Sequence, residues 1–190
     1  MTISFKRAAA AGFTLIELLI VVIILAIISA IAIPQFSAAT SDAQQSAADA
    51  NLAAVRNAIE LYRAQHAGNA YPGVKISSGG TATCAGTKGK GAANTAEAFE
   101  EQLSYASDKD GRTCSIADEN YRYGPYLRMG IPADPFENSK DVAVQTTAGA
   151  LTADDNGKGW KYSLASGEFI LNRKLEDTGE TGAGGGTNEG

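Results

Sequence analysis

The hydrophobic pattern of this chain begins with one long apolar segment. From Phe13 to Ile33 there are 21 residues, and Glu17 is the only charged residue among them. A helix of that length spans about 32 Å, close to the thickness of the hydrocarbon core of a bilayer. No Gly, Pro or Asn occurs in the segment before Pro34, so nothing in it would end a helix. The pattern predicts a membrane-spanning helix over 13–33 with one carboxylate in its first turns.

A second helical pattern follows Pro34. The chain is rich in Ala there and has no Gly before Gly68. Proline removes one backbone hydrogen bond, so we expect a kink at Pro34 rather than the end of the helix. Apolar side chains then recur three or four positions apart on one face: Leu52, Val55, Ile59 and Tyr62. We predict one long helix over 13–67, whose second half offers this apolar stripe to a head domain.

The head is predicted to run from residue 68 to residue 175, and it contains one helix. Asn94 and Glu97 have the spacing of a capping box. We therefore expect a short helix from about Thr95 to Tyr105, with Phe99 and Leu103 facing the core.

Strand patterns fill the rest of the head. Apolar and polar residues alternate from Trp160 to Leu164, and a second strand segment, Glu168–Asn172, follows after a three-residue loop that ends in Gly167. This spacing predicts a β-hairpin. Together with a strand near Val142, it predicts an antiparallel sheet packed on the helical stripe, which makes the fold class α+β. The last segment, 176–190, is rich in Gly and acidic residues and is predicted to be a flexible tail.

Three ordinary interpretations compete for the apolar segment. A secretory signal peptide has an apolar region of about 7–15 residues, which is shorter than this one, although Ala30 and Ala32 would suit a cleavage site. A simple membrane anchor does not explain Glu17, since a carboxylate in lipid costs about 3 kcal/mol. A buried core helix is unlike the run from Leu18 to Ile33, in which Ser29 is the only polar residue.

The residues around the start of this segment resemble a known signal. A stretch with Lys6 and Arg7 ends in Gly12 and is followed by FTLIE, by the apolar run and by Pro34. This arrangement resembles the type IV prepilin signal, which type IV pilins share with the pseudopilins of type II secretion systems. The resemblance covers the start of the chain, to roughly Gln65, and the segments 124–136 and 159–172 resemble pilin and pseudopilin heads less specifically.

The resemblance implies a maturation pathway. A prepilin peptidase on the cytoplasmic face would cleave between Gly12 and Phe13, remove the leader 1–12 and leave a new amino terminus on Phe13 that becomes N-methylated. An inner-membrane assembly platform would then build a helical homopolymer. The resemblance also implies that the carboxylate of Glu17 meets the Phe13 amino terminus of a neighbouring copy, which would offset the cost of a charge in an apolar core.

Two functions share this pathway. The first is a structural subunit of an extracellular type IV pilus; the alternative is a major-type pseudopilin in a periplasmic, piston-like filament for protein export. Both place the precursor in the inner membrane with its head outside the cytoplasm. A third interpretation is a membrane-anchored binding protein that never polymerises.

Net charge and cysteine content bear on the partners and on the covalent structure of the chain. The net charge of −5 argues against nucleic acid as the main partner. The two cysteines, Cys84 and Cys114, are an even pair in a chain expected to be exported, which favours a disulfide over two unpaired thiols.

The sequence contains one histidine and one oxygen-rich loop that could take part in catalysis or metal binding. His66 is the only histidine, and we expect it to be a solvated residue near a helix end rather than a catalytic base. The chain is therefore predicted not to be an enzyme and to need no cofactor.

Asp154, Asp155 and Asn156 precede a glycine in an oxygen-rich loop that would suit calcium, although an ordinary Asn-Gly turn fits the same residues.

Overall fold

The computed structural model describes residues 13–174. The predicted leader 1–12, with Gly12, and the predicted tail 176–190 lie outside the described residues. The chain divides into two compact units, Met1–Ala43 and Gln44–Gly190.

Helix α1 runs from Leu15 to Gln65 and remains α-helical through Pro34. Every large apolar side chain from Phe13 to Phe36 is at least 50% exposed. The helix is long and apolar enough to cross a membrane, and its most apolar stretch is not buried within the described chain. A helix that is apolar on all sides needs lipid or other apolar surfaces around it. The kink at Pro34 stays a prediction.

In the second unit, one face of α1 forms the centre of the hydrophobic core. Val55, Ile59 and Tyr62 are buried, and Leu52 packs against them at the edge of the core. This burial confirms the predicted apolar stripe. The rest of the core comes from the second helix and the sheet, mainly from Phe99, Leu103, Trp160, Tyr162 and Phe169.

Helix α2 covers Ala96–Ser104, and its start differs from the prediction by one residue. The hydroxyl of Thr95 accepts a hydrogen bond from the backbone N–H of Ala98, so Thr95 is the N-cap. Asn94 instead adopts a left-handed backbone conformation, with φ of 63°. The predicted box of Asn94 with Glu97 is therefore wrong, whereas the inward placement of Phe99 and Leu103 is confirmed.

Within residues 13–174, five short strands form two sheets. Strands β1 (Ala106–Ser107) and β2 (Thr113–Cys114) make an antiparallel pair. The second sheet has the order β3 (Val142–Gln145), β4 (Trp160–Ser163) and β5 (Phe169–Leu171). The antiparallel pairing of β4 with β5 confirms the predicted hairpin.

Strand β3 pairs with β4 in parallel, so the sheet is mixed and the prediction of a purely antiparallel sheet is wrong. The segment between them, residues 146–159, is long enough to carry the chain back to the same end of the sheet. A parallel pair requires such a crossover, of a dozen or more residues.

The predicted disulfide between Cys84 and Cys114 is present, with 5.8 Å between the Cα atoms. It belongs to a small cluster beside the main core, formed by Ala82, Cys84, Ala106, Cys114 and Tyr121. We call this cluster the disulfide lobe. It fastens the loop before α2 to strand β2.

Candidate functional site

The start of α1 holds a reciprocal pair of hydrogen-bonded side chains. Thr14 is the last residue before the helix, and Glu17 is in its first turn. The backbone N–H of Thr14 donates to Oε2 of Glu17 at 2.9 Å, and the Thr14 hydroxyl donates to the same oxygen at 2.8 Å. The N–H of Glu17 lies 3.3 Å from the Thr14 hydroxyl oxygen, which accepts its hydrogen bond. This is a capping box.

The box explains how the carboxylate is accommodated within a single chain. The first N–H groups of a helix have no partner inside the helix, and the box satisfies two donors at this end. A negative charge in the first turn also interacts favourably with the helix dipole. Both hydrogen bonds that the Glu17 carboxylate accepts from Thr14 are to Oε2. The box therefore leaves Oε1 for another group.

Phe13 lies directly before this box, with 88% of its surface exposed. Cleavage after Gly12 would place an amino group on Phe13, one residue from the N-cap of α1. Gly12 lies outside the described residues, and the contact between Glu17 and another copy's Phe13 stays a prediction. The structure thus places Phe13 and Glu17 at the same end of the exposed apolar helix.

Thr14 is the site residue that sequence reasoning missed. The signal was readable, because Thr14 and Glu17 have the Ser/Thr-x-x-Glu spacing of a capping box immediately before an apolar run. The carboxylate was explained only by a partner on another copy. The structure adds a partner within the chain.

His66 is buried, and the expectation of a solvated residue is wrong. Only 5% of its surface is exposed. Helix α1 ends at Gln65, and the chain turns through Ala67–Asn69, where Gly68 adopts a φ of 79°. The backbone N–H of Ala67 donates to the carbonyl of Lys109 at 3.1 Å, so the segment after β1 covers the helix end and the imidazole.

Both aspartates among the calcium candidates are already paired with lysines. Lys161 Nζ lies 2.5 Å from Oδ1 of Asp154, and Asp155 pairs with Lys174. The Lys161 ammonium, followed by the Asn172 amide, lowers the pKa of Asp154. Among residues 13–174, no three His, Cys, Asp or Glu side chains are grouped to hold a metal ion. Calcium at these carboxylates would compete with both ammonium groups, and the calcium site, with Asn156, stays a prediction.

Comparison with known proteins adds to this geometry. Residues 7–33 match the prokaryotic N-terminal methylation motif. PilA5, the major component of the type IV narrow pilus of Thermus thermophilus, is 49% identical over 59 residues, which are 31% of this chain and 51% of that protein. The chain therefore spans about half the length of this relative.

Two further relatives match over longer stretches. The type II secretion system core protein G of Vibrio cholerae is 25% identical over 173 residues, 90% of this chain and 97% of that protein. The core protein G of Aeromonas hydrophila is 32% identical over 133 residues, 70% of this chain and 72% of that protein. No solved structure gives a significant match. The motif at the start of α1 and the matches that extend into the head lead to one conclusion: this chain belongs to the family of type IV pilins and type II secretion pseudopilins.

Proposed function

We propose that this chain is a structural subunit that polymerises through the first half of α1. The observation that carries the proposal is the apolar surface of that half, exposed on every side from Phe13 to Phe36, with one carboxylate at its start. Lipid would cover this surface before assembly, and the helices of other copies would cover it in a filament. The head, with its own core and disulfide, would remain in water.

Maturation would precede polymerisation. A prepilin peptidase cleaves between Gly12 and Phe13, and Phe13 is then methylated at its new amino terminus. The match of residues 7–33 to the methylation motif supports this step. An assembly platform in the inner membrane extracts the processed subunit and adds it to the filament.

The specific system we propose is a type II secretion filament, with this chain as its major-type pseudopilin in the periplasm. Matches of 133 and 173 residues must include much of the head, and both are to core protein G. The match to the pilus component covers only 59 residues, whereas these matches extend into the head. This ranking reverses the one that the sequence alone suggested.

A type IV pilus subunit is the second candidate. The 49% identity with the pilus component of Thermus thermophilus favours it, although that similarity is limited to 59 residues. In this case the filament would be extracellular.

Deletion of the chain's gene from its native cell tests the proposal. A pseudopilin predicts loss of protein export with no long surface filaments at the native level of expression. A pilus subunit predicts long filaments that disappear on deletion, while export continues. A chain that is neither processed after Gly12 nor recovered in multimers after cross-linking would contradict both.

If the head binds calcium, we infer that the ion lies at the loop of Asp154, Asp155 and Asn156. The support is the set of oxygen donors in that loop, and the lysine partners of the two carboxylates would be released on binding. Thermal unfolding of the full chain in detergent, with calcium and with chelator, tests this inference. A calcium-dependent rise that Asp154→Asn abolishes would support it, and unchanged melting at millimolar calcium would remove it.

A further inference from the structure

His66 joins the end of α1 to strand β1. Its Nδ1 lies 2.7 Å from the backbone carbonyl of Tyr62, and its Nε2 lies 3.0 Å from the hydroxyl of Ser107. A carbonyl can only accept, so Nδ1 carries the hydrogen and Nε2 of the neutral ring accepts from Ser107. The ring also stacks on Tyr62 with 3.7 Å between centroids. We call His66, Tyr62 and Ser107 the helix-end clasp.

The clasp fastens strand β1 and, through it, the disulfide lobe to the end of α1. Ser107 exchanges two backbone hydrogen bonds with Tyr123, at 2.8 and 3.1 Å. Strand β1 pairs with β2, which carries Cys114 of the disulfide lobe. The apolar cluster of this lobe is small and separate from the main core. Polar contacts, among them those of His66 and the hydrogen bond from the N–H of Ala67 to the carbonyl of Lys109, therefore contribute to holding it beside α1.

Several groups around the ring affect its protonation. The ring centroids of Tyr123 and Tyr126 lie 5.2 and 6.3 Å from the centroid of the His66 ring, and these side chains exclude water from it. Asp108 favours the charged form, and Lys75, whose ammonium donates to the carbonyl of Ala67, opposes it. Burial is the largest influence, and the net result is a lowered pKa for His66.

We propose that the helix-end clasp is an acid-sensitive device, in which protonation of His66 loosens β1 and the disulfide lobe from α1 and leaves the sheet of β3, β4 and β5 intact. Protonation places a charge on a ring that is 5% exposed, and it requires the Ser107 hydroxyl to turn from donor to acceptor. Burial disfavours the charged ring, so acid favours an open state in which the imidazolium reaches water. This property is independent of polymerisation. It concerns how the exported head responds to the pH outside the cytoplasm.

The first measurement is the titration of His66 in the full chain, held in detergent micelles and labelled with ¹⁵N. His66 is the only histidine, so its ring nitrogens give one unambiguous pair of signals. We expect the titration midpoint of the ring to lie below 6.5, the ordinary pKa of histidine. A titration at or above that value would overturn the proposal, whether or not any variant folds.

The second measurement is amide hydrogen exchange at pH 7 and pH 5, expressed as protection relative to the intrinsic rate. Protection at Ala67, Ser107 and Tyr123 is expected to fall several-fold at pH 5. Protection at Trp160 and Ser163, which are hydrogen-bonded in or beside the three-stranded sheet, is expected to change little. An equal fall at all five amides would indicate global destabilisation and contradict a local clasp.

Two variants separate His66 from other titrating groups. His66→Gln keeps a donor and an acceptor but cannot become charged, so it should lose the local acid response. Glu100→Gln is the control, because burial and the nearby carboxylates raise the pKa of Glu100, which makes it another group that acid could protonate. The control should respond to acid as the wild type does. An unchanged response in His66→Gln, or a lost one in Glu100→Gln, would assign the effect elsewhere.

Discussion

Thr14 and Glu17 satisfy each other across the first turn of α1. The Thr14 hydroxyl donates to the Glu17 carboxylate at 2.8 Å, and the Glu17 N–H donates back to that hydroxyl. The carboxylate of Glu17 therefore has a partner before any second copy arrives. On assembly, the amino terminus of Phe13 from another copy would contact the Glu17 carboxylate, whose position the capping box has already fixed.

Thr14→Val tests this positioning with a side chain of similar shape. Loss of the hydroxyl removes one side of the box and should destabilise the helix start by about 1 kcal/mol. We expect normal membrane insertion and a reduced fraction of chain in cross-linked multimers. Thr14→Ser restores the hydroxyl and should restore assembly. Equal assembly in both variants would mean that the box does not position Glu17.

Removal of the disulfide should weaken the head. The bond closes a sequence separation of 30 residues, and a loop of that length is worth about 3 to 4 kcal/mol in chain entropy. Paired replacement, Cys84→Ala with Cys114→Ala, should lower the free energy of unfolding by that amount in a denaturant titration. Reductant should reproduce the loss in the wild type and have no effect on the double variant. A wild type that is insensitive to reductant after unfolding and refolding would contradict this expectation.

Gln102 should be a second sensitive position in the head. Its buried amide accepts from the N–H of Gly73 at 2.7 Å and donates to the carbonyl of Gly111 at 2.8 Å. Gln102→Leu keeps the size but leaves these backbone groups without a partner, at a cost of about 1–3 kcal/mol each. The free energy of unfolding should fall accordingly. The exposed Gln45→Leu is the control and should stay within about 0.5 kcal/mol of the wild type.

The sequence correctly predicted those elements that depend on the pattern of apolar and polar residues at neighbouring positions. The apolar run, the stripe of Leu52, Val55, Ile59 and Tyr62, and the hairpin of β4 and β5 all depend on neighbouring positions, and they are present. The N-cap of α2 was one residue off because Asn94 and Thr95 are both good capping residues.

The misses concern contacts between distant segments. Whether β3 is parallel to β4 depends on the path of residues 146–159, which no alternation records. The burial of His66 depends on Ser107, 41 positions later, covering the helix end. A local signal did exist, since His66 follows Tyr62 by four positions and so extends the apolar stripe.

Replacement of Glu17 separates insertion from assembly. Glu17→Leu removes a charge that is unfavourable in lipid, so membrane insertion should be unchanged or improved. Ordered assembly should fail, since the amino terminus of the neighbouring Phe13 would be buried without a partner. Glu17→Gln keeps the shape without the charge and should also assemble poorly. Ser29→Ala, which removes a polar group from the same segment without changing charge, is the control and should assemble normally.

The most direct test of the filament proposal is the assembled fraction of Glu17→Leu. The chain in cross-linked multimers is measured and normalised to the processed subunit in the inner membrane, which makes the result independent of filament length. We predict normal insertion and processing with a strongly reduced multimer fraction in Glu17→Leu, and a wild-type fraction in Ser29→Ala. A Glu17→Leu chain that is inserted, processed and multimerised at the wild-type level would contradict the account, because Glu17 would then not be an assembly contact.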